Sequence, residues 1–419
     1  MKTESPVTDI HDKLSDIKEA DIIVGIPSFN NAATIGHVVR AVQAGFARYF
    51  PDKKAVILNS DGGSTDGTTD VVQEAAIEDY DSIFVTHQNR SLKISTPYHG
   101  IPGKGSAFKT IFEAASSLNV KACAVVDSDL RSITPEWIDL LLRPIVDMDY
   151  DYVTPFYLRH KYDGTITNSI IYPLTRALYG KRIRQPIGGD FAFSGRLASF
   201  YLAKDVWNTD VAKYGIDIWM TTTAIANGFK TCQSFLGAKI HDPKDPGSDL
   251  SAMLYQVISS AFDLMENYFE IWKNTGESEP VHTFGFRYAV GLEPIQINFD
   301  KMVDIFRLGA KELSSLWKSF MPDDLLNFVC NDLVNTPNDS FHITDETWVE
   351  IIYAFACAYH TKTINREHLL KSLTPLYLGR VASFIIETQN SSASEVEDKI
   401  EKLCTVFEDK KKELINNWI

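Results

Sequence analysis

Four short apolar runs, each leading into a polar turn and then a helix-patterned stretch, restrict this chain more than any other feature of its sequence. Residues 21–27 carry Ile22, Ile23, Val24 and Ile26 and reach Pro27 and the turn Ser28-Phe29-Asn30-Asn31, after which Ile35, Val38, Val39 and Val42 recur at helical spacing. Residues 54–58 read as a second strand, followed by the loop Asp61-Gly62-Gly63-Ser64 and a helix over 66–76. A third strand is expected over 82–86 with a helix over 104–118, and a fourth over 122–126, closed by Asp127-Ser128-Asp129.

Apolar strands alternating with helices predict an α/β fold: a Rossmann-like, mainly parallel sheet with helices on both faces. Ligands of such sheets bind beyond the carboxyl ends of the strands, and every loop just named lies at such an end. Loops far apart in sequence are therefore expected to meet in one crevice. After about residue 250 the alternation stops. Met253, Leu254, Val257, Ile258, Ala261 and Leu264 follow a helical period, the stretch 349–356 reads as a buried helix, and 394–418 as a charged amphipathic one. The expected organisation is a mobile arm over 1–20, a nucleotide-binding domain over 21–250, and a mostly helical C-terminal domain over 251–419.

A formal charge of −14 speaks against a general nucleic-acid binder or a protein of anionic membrane surfaces, both of which need an excess of Lys and Arg. No run of eighteen apolar residues suggests a membrane span, and the polar start carries no apolar signal core. The five cysteines are scattered, without a CxxC pair, as in reduced cytoplasmic proteins. Any phosphate site in so acidic a chain must be a local cluster of cations and backbone N–H groups.

Candidate chemistry sits in the strand-end loops. Asp61, among glycines that let a ligand approach the backbone, can accept hydrogen bonds from a base or ribose. A calcium loop is the rival reading, but Gly63 and Thr65 fall where two of its ligands should be. Asp127 and Asp129, two apart at a strand end, can share a divalent cation that also holds a diphosphate. D-x-D is common by chance; its place after the fourth strand gives it weight. Thr134 and Pro135 then start a helix. Lys104, between Gly103 and Gly105 at a helix N-terminus, suits an anionic oxygen, although the full G-x-x-x-x-G-K-[ST] phosphate loop is absent. Gly188-Gly189-Asp190 and Gly215-Ile216-Asp217 are further glycine–carboxylate turns. His241 stands where the α/β pattern stops; a lone histidine is usually a surface or capping residue, but with the acidic pair it would complete a shell for Mg or Mn.

In this order the motifs resemble the GT-A-fold glycosyltransferases, and within them the retaining glucosyl-3-phosphoglycerate synthase and mannosylglycerate synthase group. The resemblance runs from about Asp21 to Leu264. It rests on the Pro27 turn, the loop 61–68, Pro102-Gly103-Lys104-Gly105, the Asp127/Asp129 pair, residues 185–190, Tyr214-Gly215-Ile216-Asp217 and Ala238-Lys239-Ile240-His241. It implies a metal-dependent enzyme moving a hexose from a UDP- or GDP-sugar to a small acceptor such as glycerate or 3-phosphoglycerate. Pro27, Asn31, Asp61 and Lys104 would then contact the nucleotide, while Asp129 and His241 ligate the metal and Asp127 assists. Asp190 and Asp217 would be catalytic, facing donor sugar and acceptor. Gly188 and Gly189 would line the substrate site, and Thr165 and Thr167, in the loop 163–168, would meet the acceptor. One departure is that relatives often carry N-E-E in the first turn, where this chain has Asn30-Asn31-Ala32. The helical domain is expected to shape the acceptor pocket or to mediate a homodimer.

Three other readings are weaker. A sugar nucleotidylyltransferase would start with a glycine-rich basic loop, which Pro27-Ser28-Phe29-Asn30-Asn31 is not. An inverting enzyme of the processive glycan-synthase kind would carry Q-x-x-R-W and membrane spans. A non-catalytic nucleotide-sugar-binding protein would have no need of the metal pair or of His241.

Overall fold

The computed structural model describes residue 14 and residues 17–75, 92–98, 101–240, 250–288, 295 and 297–419. In chain order the first elements are β1 (Ile22–Ser28), α1 (Ala32–Tyr49), β2 (Ala55–Asp61), α2 (Thr68–Glu74), β3 (Leu92–Pro97), α3 (Lys104–Ser117), β4 (Ala122–Val125), α4 (Pro135–Met148) and β5 (Tyr152–Leu158). The strand expected over 82–86 lies outside the described residues. Thr134 is the N-cap and Pro135 the first helical residue of α4, as expected, although the Thr134 side chain makes no capping hydrogen bond.

A π-helical turn, Thr167–Ile171, leads into α5 (Tyr172–Tyr179) and β6 (Lys181–Arg182). Then come β7 (Phe191–Ser194), α6 (Gly195–Leu202), α7 (Ile216–Ala226) and β8 (Thr231–Ala238). The rest is helical apart from two short strands: α8 (Leu250–Asn267), α9 (Phe269–Trp272), β9 (Glu279–Pro280), β10 (Thr283–Phe284), α10 (Phe299–Trp317), α11 (Asp323–Asn327), α12 (Asp345–Thr361), α13 (Arg366–Thr388), α14 (Ala393–Asp409) and α15 (Lys411–Trp418). The expected single C-terminal helix is thus two, broken at Lys410; the first opens with a capping box between Ser392 and Glu395.

The chain forms two compact units, and they do not meet at one point in the sequence. The first comprises 1–158, 188–243 and 281–291; the second comprises 159–187, 244–280 and 292–419. This corrects the expected boundary at 250, because residues 159–187 belong with the helices and 281–291 with the sheet. A short return strand such as β10 is too brief to show a period, and α5 has a helical pattern with no marker of which core it joins.

In the first unit eight strands lie in the order β10-β8-β5-β7-β4-β1-β2-β3. The pairs of β1 with β2 and β4, of β2 with β3, and of β8 with β5 and β10 are parallel; β7 runs antiparallel between β4 and β5. Its central strands β1, β4 and β7 are almost wholly buried, as a sheet covered on both faces requires. Ile22, Val24 and Ile26 of β1, Val38, Val39 and Val42 of α1, and Trp137, Ile138 and Leu141 of α4 fill one side of that core.

The second unit closes on apolar residues of α10, α12 and α13, including Phe306, Trp317, Trp348, Phe355, Leu373 and Leu376. A Cβ on Gly309 would meet the Pro375 ring at 2.3 Å, and one on Gly379 would meet Phe306 at 2.7 Å, so these glycines let α10 and α13 approach closely. Helix α13 is long and apolar enough to cross a membrane, but 78% of its apolar window is buried inside the protein. It also carries the buried Arg380, paired with Asp345 and bonded to the Ile343 carbonyl, which suits a core helix.

Candidate active site

At the carboxyl ends of β1 and β2 the first two loops are woven together. Register pairs Ser28 with Asp61, so the Ser28 hydroxyl donates to Asp61 Oδ1 at 2.9 Å. Ser64 Oγ donates to the same oxygen, and the Gly63 and Ser64 amides donate to Oδ2 at 2.9 and 2.7 Å. A carboxylate accepts about four hydrogen bonds, so Asp61 is filled by Ser28 and its own loop. In this arrangement it shapes the turn; the expected direct contact with base or ribose would need one of these bonds to open. The asparagines of the first turn have a comparable task. Asn30 receives the Thr65 amide at 3.0 Å and Asn31 donates its own amide to Thr68 at 2.9 Å. Pro27 sits inside β1 opposite Ser60.

The D-S-D turn is tied down by its middle residue. Ser128 Oγ donates to Asn31 Oδ1 at 2.8 Å, and the Ser128 carbonyl accepts from Thr34 Oγ1 at 2.9 Å. Asp127 and Asp129 are left half-buried on either side of it. Each oxygen of Asp127 then meets an ammonium group: Oδ1 lies 3.0 Å from Lys104 Nζ, and Oδ2 lies 2.7 Å from Lys239 Nζ. Burial would raise this carboxyl, but the two lysines outweigh it and hold it well below the ordinary carboxylate range.

Lys104 begins α3 and sits between two aspartates, with Asp217 Oδ1 at 3.4 Å on its other side. Burial would lower its ammonium, and the carboxylates of Asp127 and Asp217 overcome that and raise it. The flanking glycines are there for packing. A Cβ on Gly105 would fall 1.8 Å from the Val211 carbonyl oxygen, and one on Gly103 2.6 Å from that of Ala212. The segment 211–213 therefore lies directly on the N-terminus of α3, and the Gly105 amide donates to the Lys213 carbonyl at 3.2 Å.

Asp217 lies in the first turn of α7 and is buried. Its Oδ1 makes no hydrogen bond of good geometry, and the 3.4 Å approach of Lys104 is an ion-pair distance only. Burial pushes its carboxyl up, Lys104 partly offsets this, and Asp127 adds to it. Asp190 differs. It is 0% exposed, and its carboxylate accepts from the Asp127 amide at 2.8 Å, from Lys239 at 2.8 Å and from the Tyr157 hydroxyl. So enclosed a carboxylate has no face for a sugar ring, which corrects the expectation that Asp190 is catalytic: its contacts are those of a residue that positions others. Gly188 gives its carbonyl to Lys239 at 3.0 Å. Gly189, at φ +89°, keeps clear the space where a Cβ would lie 2.3 Å from Asp127 Oδ2.

The oxygens of Asp127 already meet two ammonium groups, which does not suit a divalent cation there. Among the described residues no three His, Cys, Asp or Glu side chains converge as a metal-holding group. His241 lies outside the described residues. Its neighbour Ile240 is fixed beside the acidic turn, its carbonyl accepting from the Arg131 amide and its amide donating to Ser132 Oγ, both at 2.9 Å.

Thr165 and Thr167 fall in the second unit. Thr165 hydrogen-bonds the Tyr377 hydroxyl and lines a cleft with Asn168, Ser169, Arg380 and Lys399; Thr167 is buried at the start of the π-helical turn. Sequence reasoning gave no role to Lys239 or Tyr157. The available signal was a single lysine just past the end of the apolar strand β8, two residues before His241.

The family model for the mannosylglycerate synthase GT domain matches residues 28–263. No curated protein matches the chain significantly. Similar solved structures include glucosyl-3-phosphoglycerate synthase from Mycobacterium tuberculosis with Mn2+, UDP and glucosyl-3-phosphoglycerate, at 23% identity and a TM-score of 0.45, covering 62% of this chain and 85% of that one. The same enzyme with Mn2+, UDP-glucose and phosphoglyceric acid gives 22% identity and a TM-score of 0.44, covering 63% and 86%. Matched by the family model over more than half of its length, the chain belongs to the mannosylglycerate synthase GT-domain family and is a glycosyltransferase.

Proposed function

We propose that this enzyme moves a hexose from a UDP- or GDP-sugar to a small hydroxy acid, glycerate or 3-phosphoglycerate, with Mg or Mn and with retention of configuration at the anomeric carbon. The observation that carries the reading is the placing of one ammonium group, Lys104, between the carboxylates of Asp127 and Asp217 at the carboxyl ends of the strands. Breaking the sugar–diphosphate bond develops negative charge on the leaving phosphate and positive charge on the ring. Lys104 supplies a cation for the first, at a helix N-terminus that favours anions. Asp217, buried and short of hydrogen bonds, supplies a carboxylate for the second.

Taken together, Lys104, Lys239, Asp127, Asp190 and Asp217 hold two positive and three negative charges, a surplus of one negative charge that favours a cationic ring. Asp129 and His241 would hold the divalent ion, which when bound screens the diphosphate charge. The fixed position of Ile240 beside Arg131 and Ser132 supports that pairing. Pro27, Asn31 and the loop shaped by Asp61 would take the nucleotide, with Gly188 and Gly189 beside the sugar, and Thr165 and Thr167 would meet the acceptor. The five free thiols accord with action in the cytoplasm.

The test is release of nucleotide from UDP-, GDP- and ADP-hexoses with Mg or Mn, each against glycerate, 3-phosphoglycerate and simple sugars. Release dependent on one hydroxy acid, with an α-linked product, is the expected result. Release only with sugar acceptors would replace the acceptor class, and none with any pair would defeat the reading.

A further inference from the structure

The site contains a second lysine whose surroundings differ from those of Lys104. Lys239 is buried, with 4% of its side chain exposed, and its ammonium lies 2.7 Å from Asp127 Oδ2, 2.8 Å from Asp190 Oδ2 and 3.0 Å from the Gly188 carbonyl. An ammonium has three protons to donate, and each of these oxygens is an acceptor within reach of it. They come from two loops, one after β4 and one before β7, while Lys239 itself follows β8. One side chain thus joins three strand ends. The Asp127 amide, donated to Asp190 at 2.8 Å, closes the ring. Gly189 leaves just enough space for it, since a Cβ there would also lie 2.8 Å from Lys239 Nζ.

We propose that Lys239 is a positioning residue that holds Asp127 on its far oxygen, so that Asp127 faces Lys104 instead of joining the ligands of the divalent cation. This rests on the metal-dependent reading above. With Oδ2 taken by Lys239, only Oδ1 remains directed at Lys104, and Lys104 is thereby set at the point where the diphosphate arrives. A metal ion binding Asp127 would have to displace one ammonium group and then sit beside both, which their charge opposes. The acidic pair is accordingly divided: one carboxylate orients a cationic side chain, the other serves the metal. Asp190, wholly buried, is the third member of the clamp and has no direct part in the chemistry.

The test uses the full chain without donor and reads Mn2+ affinity by calorimetric titration, alongside turnover. Lys239→Gln is expected to lower kcat by roughly ten- to a hundredfold, the range for residues that orient others at metal sites. It should also bind Mn2+ several-fold more tightly, because Asp127 is released to the ion. In Lys239→Gln/Asp127→Asn that tightening should vanish, and Lys239→Arg should keep wild-type Mn2+ affinity and recover part of kcat. Weaker Mn2+ binding in folded Lys239→Gln, or tightening that persists in the double variant, would overturn the proposal. Should Lys239→Gln fail to fold, Asp127→Asn alone decides: Mn2+ affinity near wild type supports the proposal, and its loss overturns it. A wild-type protein that binds no Mn2+ would overturn the metal reading together with this one, whereas binding that requires Asp127 would overturn this one alone.

Discussion

Asp217 shows how far a single residue in this site is from its own stability optimum. A buried carboxylate with an unsatisfied oxygen costs roughly 1–3 kcal/mol, and active sites often retain such strain because the reaction uses it. Because burial raises its carboxyl in the folded state, the folded protein binds that proton more tightly than the unfolded chain does. The group's contribution to stability is therefore fully present below the unfolded carboxylate range, near about pH 4, and is lost as pH rises through the raised folded value. Asp217→Asn, which stays neutral, should melt at a higher temperature than wild type at neutral pH, with the difference shrinking toward about pH 4. Its kcat should fall by roughly a hundredfold or more if the carboxylate supports the transition state. Thermal melts at the two pH values and one kinetic assay check both halves; an unchanged kcat would leave Asp217 as a packing residue.

The glycines around Lys104 carry the corresponding argument for elements. In the sequence, G-K-G at a helix start read as an opening for an anion, and Lys104 does lie there. What the glycines make room for is the backbone of 211–213, more than a hundred residues later, and nothing local in the sequence signals that contact. Gly105→Ala would drive a Cβ into the Val211 carbonyl oxygen and the Ala212 backbone, which cannot swing aside as a side chain could. We expect a loss of about 1–3 kcal/mol, as in other overpacked sites, and a raised donor KM as Lys104 is displaced. Gly276→Ala, where no atom lies within 4 Å of the new Cβ, is the control in a thermal melt. The same distinction explains what could be read beforehand. Strands β1, β2 and β4, the helices after them and the loops at their ends follow from hydrophobic period and turn chemistry. Strands β5, β7 and β8 complete the site, but their order and the antiparallel run of β7 depend on long-range pairing that no window of sequence encodes. Lys239 has no local marker for that reason, and the enclosure of Asp190 by Lys239, Tyr157 and the Asp127 amide likewise depends on pairings that no stretch of sequence encodes.

For the whole molecule, the proposed metal ligand Asp129 lies in a strand-end loop while the stability resides in two apolar cores. The first unit buries its central strands and the second closes on tryptophans and phenylalanines of α10 and α12 with leucines of α13. The cores of both units are built mainly of apolar side chains, and the D-S-D turn is held by Ser128 through Asn31 and Thr34. Excess chelator should therefore abolish nucleotide release while shifting the melting temperature little, in contrast to small domains whose metal supplies the folding energy. Asp129→Ala should show the same pair of outcomes, and His241→Ala should weaken metal-dependent turnover at least about tenfold, because a lost ligand also loosens the diphosphate. The measurements are a melt followed by circular dichroism with and without EDTA, and a Mn2+ titration of rate for each variant. Activity undiminished in chelator would remove the metal from the reaction, and the positive charge facing the diphosphate would then have to come from the protein's own cations, Lys104 first among them.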